Sequence, residues 1–330
     1  MIKMKIIVDA FGGDNAPLEI LKGCAEAVEA HGVEILLTGS EKIIKETAEK
    51  NNISLNNMEI EDCSEVLTMH DAADAVIKAK KESSMGVGFK LLREGKGDAF
   101  ISAGNSGALC VGATLAVKRI KGIKRPAFAP VLPSSTGCFM LLDGGANVDC
   151  RPEMLRQFAV MGSVYMQKVM KVENPRVGLA NVGTEDHKGT ELYRETYALL
   201  KKSGLNFIGN VEGRDIPKGA CDVVVCDGFT GNMILKTYEG VASVLMNEIK
   251  SMFTSGVKGK LAAGLILKDI KSMKARFDYN TYGGAPILGS SKPVFKAHGD
   301  AKARTIKNAI GLCKDYVEAK AIEEISSALQ

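Results

Sequence analysis

The sequence predicts an α/β protein, a three-layer α/β/α sandwich on a largely parallel sheet. Short β-branched runs alternate with longer amphipathic stretches throughout the 330 residues, the rhythm of successive β–α–β units. Glycine is abundant at 35 residues while tryptophan is absent, which suits turns that bring backbone close to a ligand. Glycines and small polar residues also cluster where the apolar runs end. The hydrophobic fraction of 45% and charged fraction of 25% are those of an ordinary folded chain with a full core.

Each element follows from local pattern. Ile6-Ile7-Val8 reads as a strand ending at Asp9, followed by a Gly12-Gly13 turn and a helix over 17–30, where Pro17 suits a first helical turn. A strand at 35–37 precedes a helix over 41–50, and a long helical pattern covers 71–93. The strand at 99–101 ends in Gly104-Asn105-Ser106-Gly107, which opens another helix. Further strands are predicted at 127–132, 139–142, 177–182, 207–208 and 223–225, with helices over 152–169, 189–202, 231–253 and 305–327. The whole chain, 1–330, reads as one α/β domain, interrupted over 251–282 by a basic amphipathic helical segment that projects from it.

Composition narrows the function. A net charge of +4 is too mild to indicate a nucleic-acid partner. The eight cysteines form no C-x-x-C pair, so reduced thiols in a cytoplasmic protein are expected and zinc is not. The first eight residues are too short and charged for a signal peptide, and no apolar run approaches the ~20 residues of a membrane span.

Chemistry should sit where strands end. Five such ends carry Gly and small polar residues: Asp9–Asp14, Ser102–Gly107, Asp143–Asn147, Asn181–Thr184 and Asp227–Asn232. Turns that open helices bind anions through unpaired N–H groups, although Ser and Asn there also serve as plain helix caps. The best phosphate cradle is formed by Ser102, Gly104, Asn105, Ser106 and Gly107. No G-x-x-x-x-G-K-[ST] loop occurs, and Gly86-Val87-Gly88 lacks the third glycine of a dinucleotide fingerprint. Nor does 104–107 fit a G-x-S-x-G nucleophile elbow. Ser106 and Cys110 are therefore read as covalent acyl carriers or, respectively, as phosphate-binding and packing residues. His298, just before a helix, either polarises a substrate oxygen or bonds a turn. Lys188, at a helix start, either offsets phosphate charge or is a solvated surface lysine.

Taken together, the clusters resemble the PlsX family of acyl-carrier-protein:phosphate acyltransferases. The resemblance runs through VDAFGGDNAP (8–17), the segments 81–109, 125–133 and 141–165, PRVGLANVGTEDHKGTEL (175–192), CDVVVCDGFTGNMILK (221–236), YGGAPILG (282–289) and KAHGDAKARTIKNAI (296–310). Three positions depart from the family pattern: Phe11 where Met is usual, Ser106 where Thr is common, and Asp300 where a small residue follows His-Gly.

The resemblance implies a Rossmann-like fold of the phosphotransacetylase and isocitrate dehydrogenase type, usually in a homodimer. It implies transfer of a fatty acyl group from acyl-carrier protein to inorganic phosphate, without metal or nucleotide. The acyl phosphate would feed a glycerol-3-phosphate acyltransferase of phospholipid synthesis. On that reaction, Ser102, Asn105 and Ser106 would hold phosphate and Lys188 would balance its charge. Asn181 or Asn232 would stabilise the oxyanion, Asp227 would orient a donor or a phosphate proton, and His298 would assist. The basic segment, with Lys258, Lys260, Lys268, Lys271, Lys274 and Arg276 opposite apolar residues such as Leu265, suits an acidic carrier protein, an anionic membrane surface or a dimer interface. By analogy with the family, peripheral membrane attachment is expected.

Overall fold

A computed structural model describes residues 3–254, 268, 272–273 and 282–329. The expected α/β sandwich is present, but its strands divide over two sheets. The larger sheet has seven strands in the order β3 (Met58–Asp62), β2 (Glu34–Gly39), β1 (Lys5–Asp9), β4 (Ala99–Ser102), β12 (Val294–Ala297), β11 (Gly284–Leu288) and β5 (Ala127–Phe128). The first five run parallel, and β11 is antiparallel to both its neighbours. The smaller sheet orders β6 (Val131–Ser134), β7 (Gly137–Leu142), β10 (Val223–Val225), β8 (Val177–Asn181) and β9 (Phe207–Glu212), with only β6 antiparallel.

Side-chain alternation along the strands explains how both sheets are covered. Ile6 and Val8 face one apolar cluster while Ile7 faces another, and Ile35, Leu36 and Leu37 alternate likewise. In the smaller sheet Met140 and Leu142 face the first cluster, whereas Phe139 and Leu141 face a third. The first cluster is therefore common to both sheets. It includes side chains of the helices α1 (Leu18–His31), α5 (Pro152–Lys168), α8 (Ala303–Glu318) and α9 (Ala321–Ala328). The close packing of α1 on α8 depends on Gly23, where a Cβ would come within 2.5 Å of Ile306.

Several boundaries differ from the sequence reading, each for a local reason. The strand expected over 127–132 is split at Ala129-Pro130 into β5 and β6, which belong to different sheets; proline has no N–H for a ladder. The helix expected over 71–93 survives as a 3₁₀ turn, Ala73–Ile77, and α3 (Ser84–Arg93). Ser83 starts α3 by accepting a hydrogen bond from the Gly86 N–H at 3.2 Å. The last helix breaks at Lys320, whose φ of 49° is left-handed, into α8 and α9. Strands β3, β11 and β12 carried no alternation strong enough to read in advance. The remaining helices are α2 (Glu41–Lys50), α4 (Ser106–Val111), α6 (Glu191–Lys201) and α7 (Gly228–Thr254).

Among the described residues no helix is long and apolar enough to cross a membrane. Within the basic segment, Lys268 is helical and exposed. Lys258, Lys260, Leu265, Lys271, Lys274 and Arg276 lie outside the described residues.

Candidate active site

Strand register brings the polar turns together. In the larger sheet Val8 is level with Ile101 and Lys296 with Ser102, so Asp9, the Ser102 turn and His298 leave the same edge. In the smaller sheet Val225 is level with both Leu142 and Leu179, so Asp143, Asp227 and Asn181 emerge side by side. A cleft of about 690 Å³ draws its walls from both sheets, with Ser106 and Gly107 of α4, the Gly144–Asn147 loop, Asn232, Lys236 and Glu239 of α7, and Lys296 and His298.

Buried hydrogen bonds shape the turns behind these walls. Ser102 is 0% exposed; its hydroxyl donates to Asp9 at 2.7 Å and accepts from the Gly104 N–H at 3.0 Å. Gly12 allows this crowding, since a Cβ there would lie 2.7 Å from Asp9, Ser102 and Gly104 atoms. Asn105 caps α4 by accepting from the Ala108 N–H at 3.1 Å, and its amide donates to the Asp71 carbonyl at 3.2 Å. Asp143 is buried and gathers N–H groups of Phe128, Gly145, Ala146 and Asn147 at 2.6–3.2 Å. Burial pushes its carboxyl upward against the pull of these donors. Asp227 caps α7, accepting from the Thr230 N–H at 2.9 Å and hydroxyl at 2.8 Å, and from the Tyr193 hydroxyl at 2.5 Å.

The cleft has two chemical characters. One part is apolar, with Met69, Val111, Leu115, Phe128, Val131 and Leu132. The other is basic. Lys296 is only 8% exposed, and burial, reinforced by the nearby Lys236, pushes its ammonium down to about 8. Its Nζ donates to the Ala103 carbonyl at 3.2 Å. On α7 the spacing Asn232, Lys236, Glu239 places all three on one helical face, and Lys236 pairs with Glu239 at 2.8 Å. His298 lies between two carboxylates, its Nδ1 at 2.6 Å from Asp300 and its Nε2 at 3.7 Å from Glu239. The Glu239 interaction first, and Asp300 with it, holds the imidazole above its ordinary value despite partial burial. Asn232 and Ser106 are exposed to the cleft, and among the described residues neither side chain is engaged in a hydrogen bond.

The site residues expected from sequence fall into three groups. Ser106, Gly107, Asn232 and His298 meet in the cleft wall. Ser102, Gly104 and Asn105 stand behind it, with the Ser102 and Asn105 side chains committed to the turn and to the helix cap. Lys188, Asn181 and Asp227 are outside the wall, Asn181 ending β8, Lys188 in the loop before α6 and Asp227 beyond β10. There the Asn181 amide donates to the Lys188 carbonyl at 3.2 Å, and Asp227 is bonded to Tyr193 of α6. Cys110 lies in the wall, and burial pushes its thiol up to about 12, which opposes nucleophilic use. All eight cysteines are free thiols.

The sequence reading missed Lys236, Glu239, Lys296 and the organising role of Asp143. Signals existed for two of these. Lys236 follows Asn232 at i+4, and Lys296 is a lone lysine inside the apolar run Val294–Ala297.

Residues 4–324 match the model of a family described as fatty acid synthesis protein. The phosphate acyltransferase of Acetivibrio thermocellus is 49% identical over 323 residues, covering 98% of this chain and 95% of that protein. The phosphate acyltransferase of Thermoanaerobacter pseudethanolicus is 48% identical over 328 residues, covering 99% and 98%. Among solved structures, a phosphotransacetylase from Streptococcus pyogenes superposes with a TM-score of 0.64 at 16% identity, covering 97% of this chain and 94% of that one, a likeness of fold. The chain belongs to the fatty acid synthesis protein family, the PlsX family, and is an acyltransferase.

Proposed function

We propose that this cleft transfers a long-chain fatty acyl group from acyl-acyl-carrier protein to inorganic phosphate, reversibly, giving acyl phosphate for phospholipid synthesis. The observation that carries the reading is the union, in one cleft, of an apolar wall with Lys236, Lys296 and His298. The first suits an acyl chain and the second a phosphate dianion. The names of the family's relatives, phosphate acyltransferases, support the acceptor.

In this reading a phosphate oxygen attacks the thioester carbonyl carbon, forming a C–O bond and a tetrahedral oxyanion. The C–S bond then breaks, and the carrier leaves as a thiol after taking the proton that phosphate loses. Phosphate is already nucleophilic, so orientation and charge stabilisation carry the rate. Lys296 and Lys236 hold the phosphate charge. Asn232 and Ser106 offer donors to the oxyanion, and protonated His298 relays the proton to the departing sulfur. Ser102, Gly104 and Asn105 fix the α4 turn that presents Ser106 and Gly107. Lys188, Asn181 and Asp227 act from the neighbouring strand ends, with Lys188 adding positive charge at longer range. The protein works in the cytoplasm as a homodimer with peripheral membrane contact through 251–282, and its product supplies a glycerol-3-phosphate acyltransferase.

The experiment is to measure phosphate-dependent release of free carrier from palmitoyl-acyl-carrier protein, with acetyl-CoA in parallel. The proposal requires turnover of the long-chain carrier thioester. Turnover of acetyl-CoA alone would make the protein a short-chain phosphotransacetylase, and inactivity toward both would leave a binding protein of the same fold.

A further inference from the structure

Between the helical turn that follows α4 and the start of β5, the chain reads Lys118-Arg119-Ile120-Lys121-Gly122-Ile123-Lys124-Arg125. The five basic residues are all exposed, whereas Ile120 and Ile123 are only 6% and 4% exposed and anchor the loop inward. Backbone contacts fix it further. The Ile120 N–H donates to the Gly289 carbonyl at 2.9 Å, and the Ser291 N–H donates to the Lys118 carbonyl at 2.9 Å. Gln157 of α5 accepts from the Lys124 N–H at 2.8 Å and donates to the Gly122 carbonyl at 3.0 Å. Arg119 closes the loop by donating Nη1 to the Lys124 carbonyl, and all five basic side chains remain exposed on this anchored frame.

None of the five cations forms an ion pair among the described residues. Glu153, the acid that feels Lys124, is already held by Arg156 through two hydrogen bonds of 2.8 and 2.7 Å. Close like charges add up, so a cluster left without an ion pair on an anchored loop makes a local positive field that attracts an oppositely charged surface. Thr114 and Leu115 before the loop, Arg125 at its end and Pro126 after it belong to the cleft wall. The chain thus leaves the wall, displays its cations at the rim, and re-enters the wall.

We propose that residues 118–125 form the docking surface for an acidic protein that carries the acyl thioester into the cleft. This rests on the acyltransfer reading above and gives it a surface for the donor. A rim of unpaired charge steers an oppositely charged protein and sets its encounter rate, while the reacting thioester enters the cleft beside it. A lipid surface fits less well, because both apolar side chains of the loop point inward and leave nothing to insert between acyl chains.

The test is charge reversal at two exposed positions outside the cleft wall, Lys118→Glu with Lys121→Glu, in the full-length protein. The KM for palmitoyl-acyl-carrier protein should rise about tenfold or more, as should the equilibrium Kd for fluorescently labelled carrier protein. The KM for phosphate should stay unchanged, and added salt should raise the donor KM of the wild type more steeply than that of the variant. Neutral Lys118→Gln with Lys121→Gln should lie between the two. An unchanged donor KM and Kd would overturn the docking surface, as would loss of binding to phosphatidylglycerol vesicles with carrier affinity intact. Because the Kd is read without turnover, failure of the docking surface is separable from failure of the reaction itself, which an inactive wild type would show.

Discussion

His298 shows how a single departure in sequence acquires chemical meaning. Asp300, which stands where the PlsX pattern favours a small residue, lies 2.6 Å from Nδ1 of His298 and adds a second carboxylate opposite Glu239. Both favour the imidazolium, so the folded-state titration is raised and the charged form persists to higher pH than in a solvated histidine. With only four histidines in the chain, the ring can be followed by NMR. Its titration midpoint should exceed that of a model peptide in the wild type and fall toward it in Asp300→Asn. The alkaline limb of the rate profile should move to lower pH in step, and a midpoint that ignores the substitution would remove Asp300 from the site. His298 was legible because a histidine between small residues before a helix is conspicuous. Lys296 left only the weaker mark of a lone lysine in an apolar run, which looks like an edge residue until the fold buries it.

At the level of elements, the start of α7 is tightly seated in the site. Gly231 permits it to pack on the Asp143 loop, because a Cβ there would come within 3.0 Å of Cys226 Sγ and into outright collision with the Asp143 carbonyl oxygen. Gly231→Ala should therefore push the first turn of α7 outward and displace Asn232 beside it. A loss of about 2–3 kcal/mol in urea denaturation is expected, as for overpacking generally, together with a fall in kcat. Gly240→Ala, farther along the same helix with nothing within 4 Å of its Cβ, should be neutral or stabilise by about 0.5–1 kcal/mol. Equal effects at the two sites would show that α7 is not seated as described. The sequence marked α7 by its apolar spacing but began it at 231 instead of Gly228, because the capping of Thr230 by Asp227 depends on side-chain geometry. The same limit hid the breaks at Pro130 and Lys320, where one residue decides a boundary.

For the whole molecule, the strand–helix rhythm announced the layered fold but not its division into two sheets. That division depends on contacts far apart in sequence, such as β12 beside β4, which brings Lys296 to the Ala103 carbonyl across 193 positions. The cleft is a product of that pairing, which is why its turns were visible in sequence while its full complement of charges was not. Both sheets contribute to one continuous apolar cluster, and cores shared in this way unfold together. Calorimetry should accordingly record one cooperative transition, whereas two well-separated transitions would mean that the sheets form independent units.

In the proposed reaction, phosphate attacks the thioester in the cleft beside Lys296. The most direct measurement is a single-turnover reaction of palmitoyl-acyl-carrier protein with radiolabelled phosphate, comparing wild type, Lys296→Met and Lys188→Ala. One labelled palmitoyl phosphate should form per carrier released by the wild type. The rate should fall about 100-fold or more in folded Lys296→Met, the scale for losing one preorganised electrostatic group, and by a smaller factor in Lys188→Ala. Label appearing at the wild-type rate in Lys296→Met, or carrier released without label from the wild type, would contradict the proposed reaction.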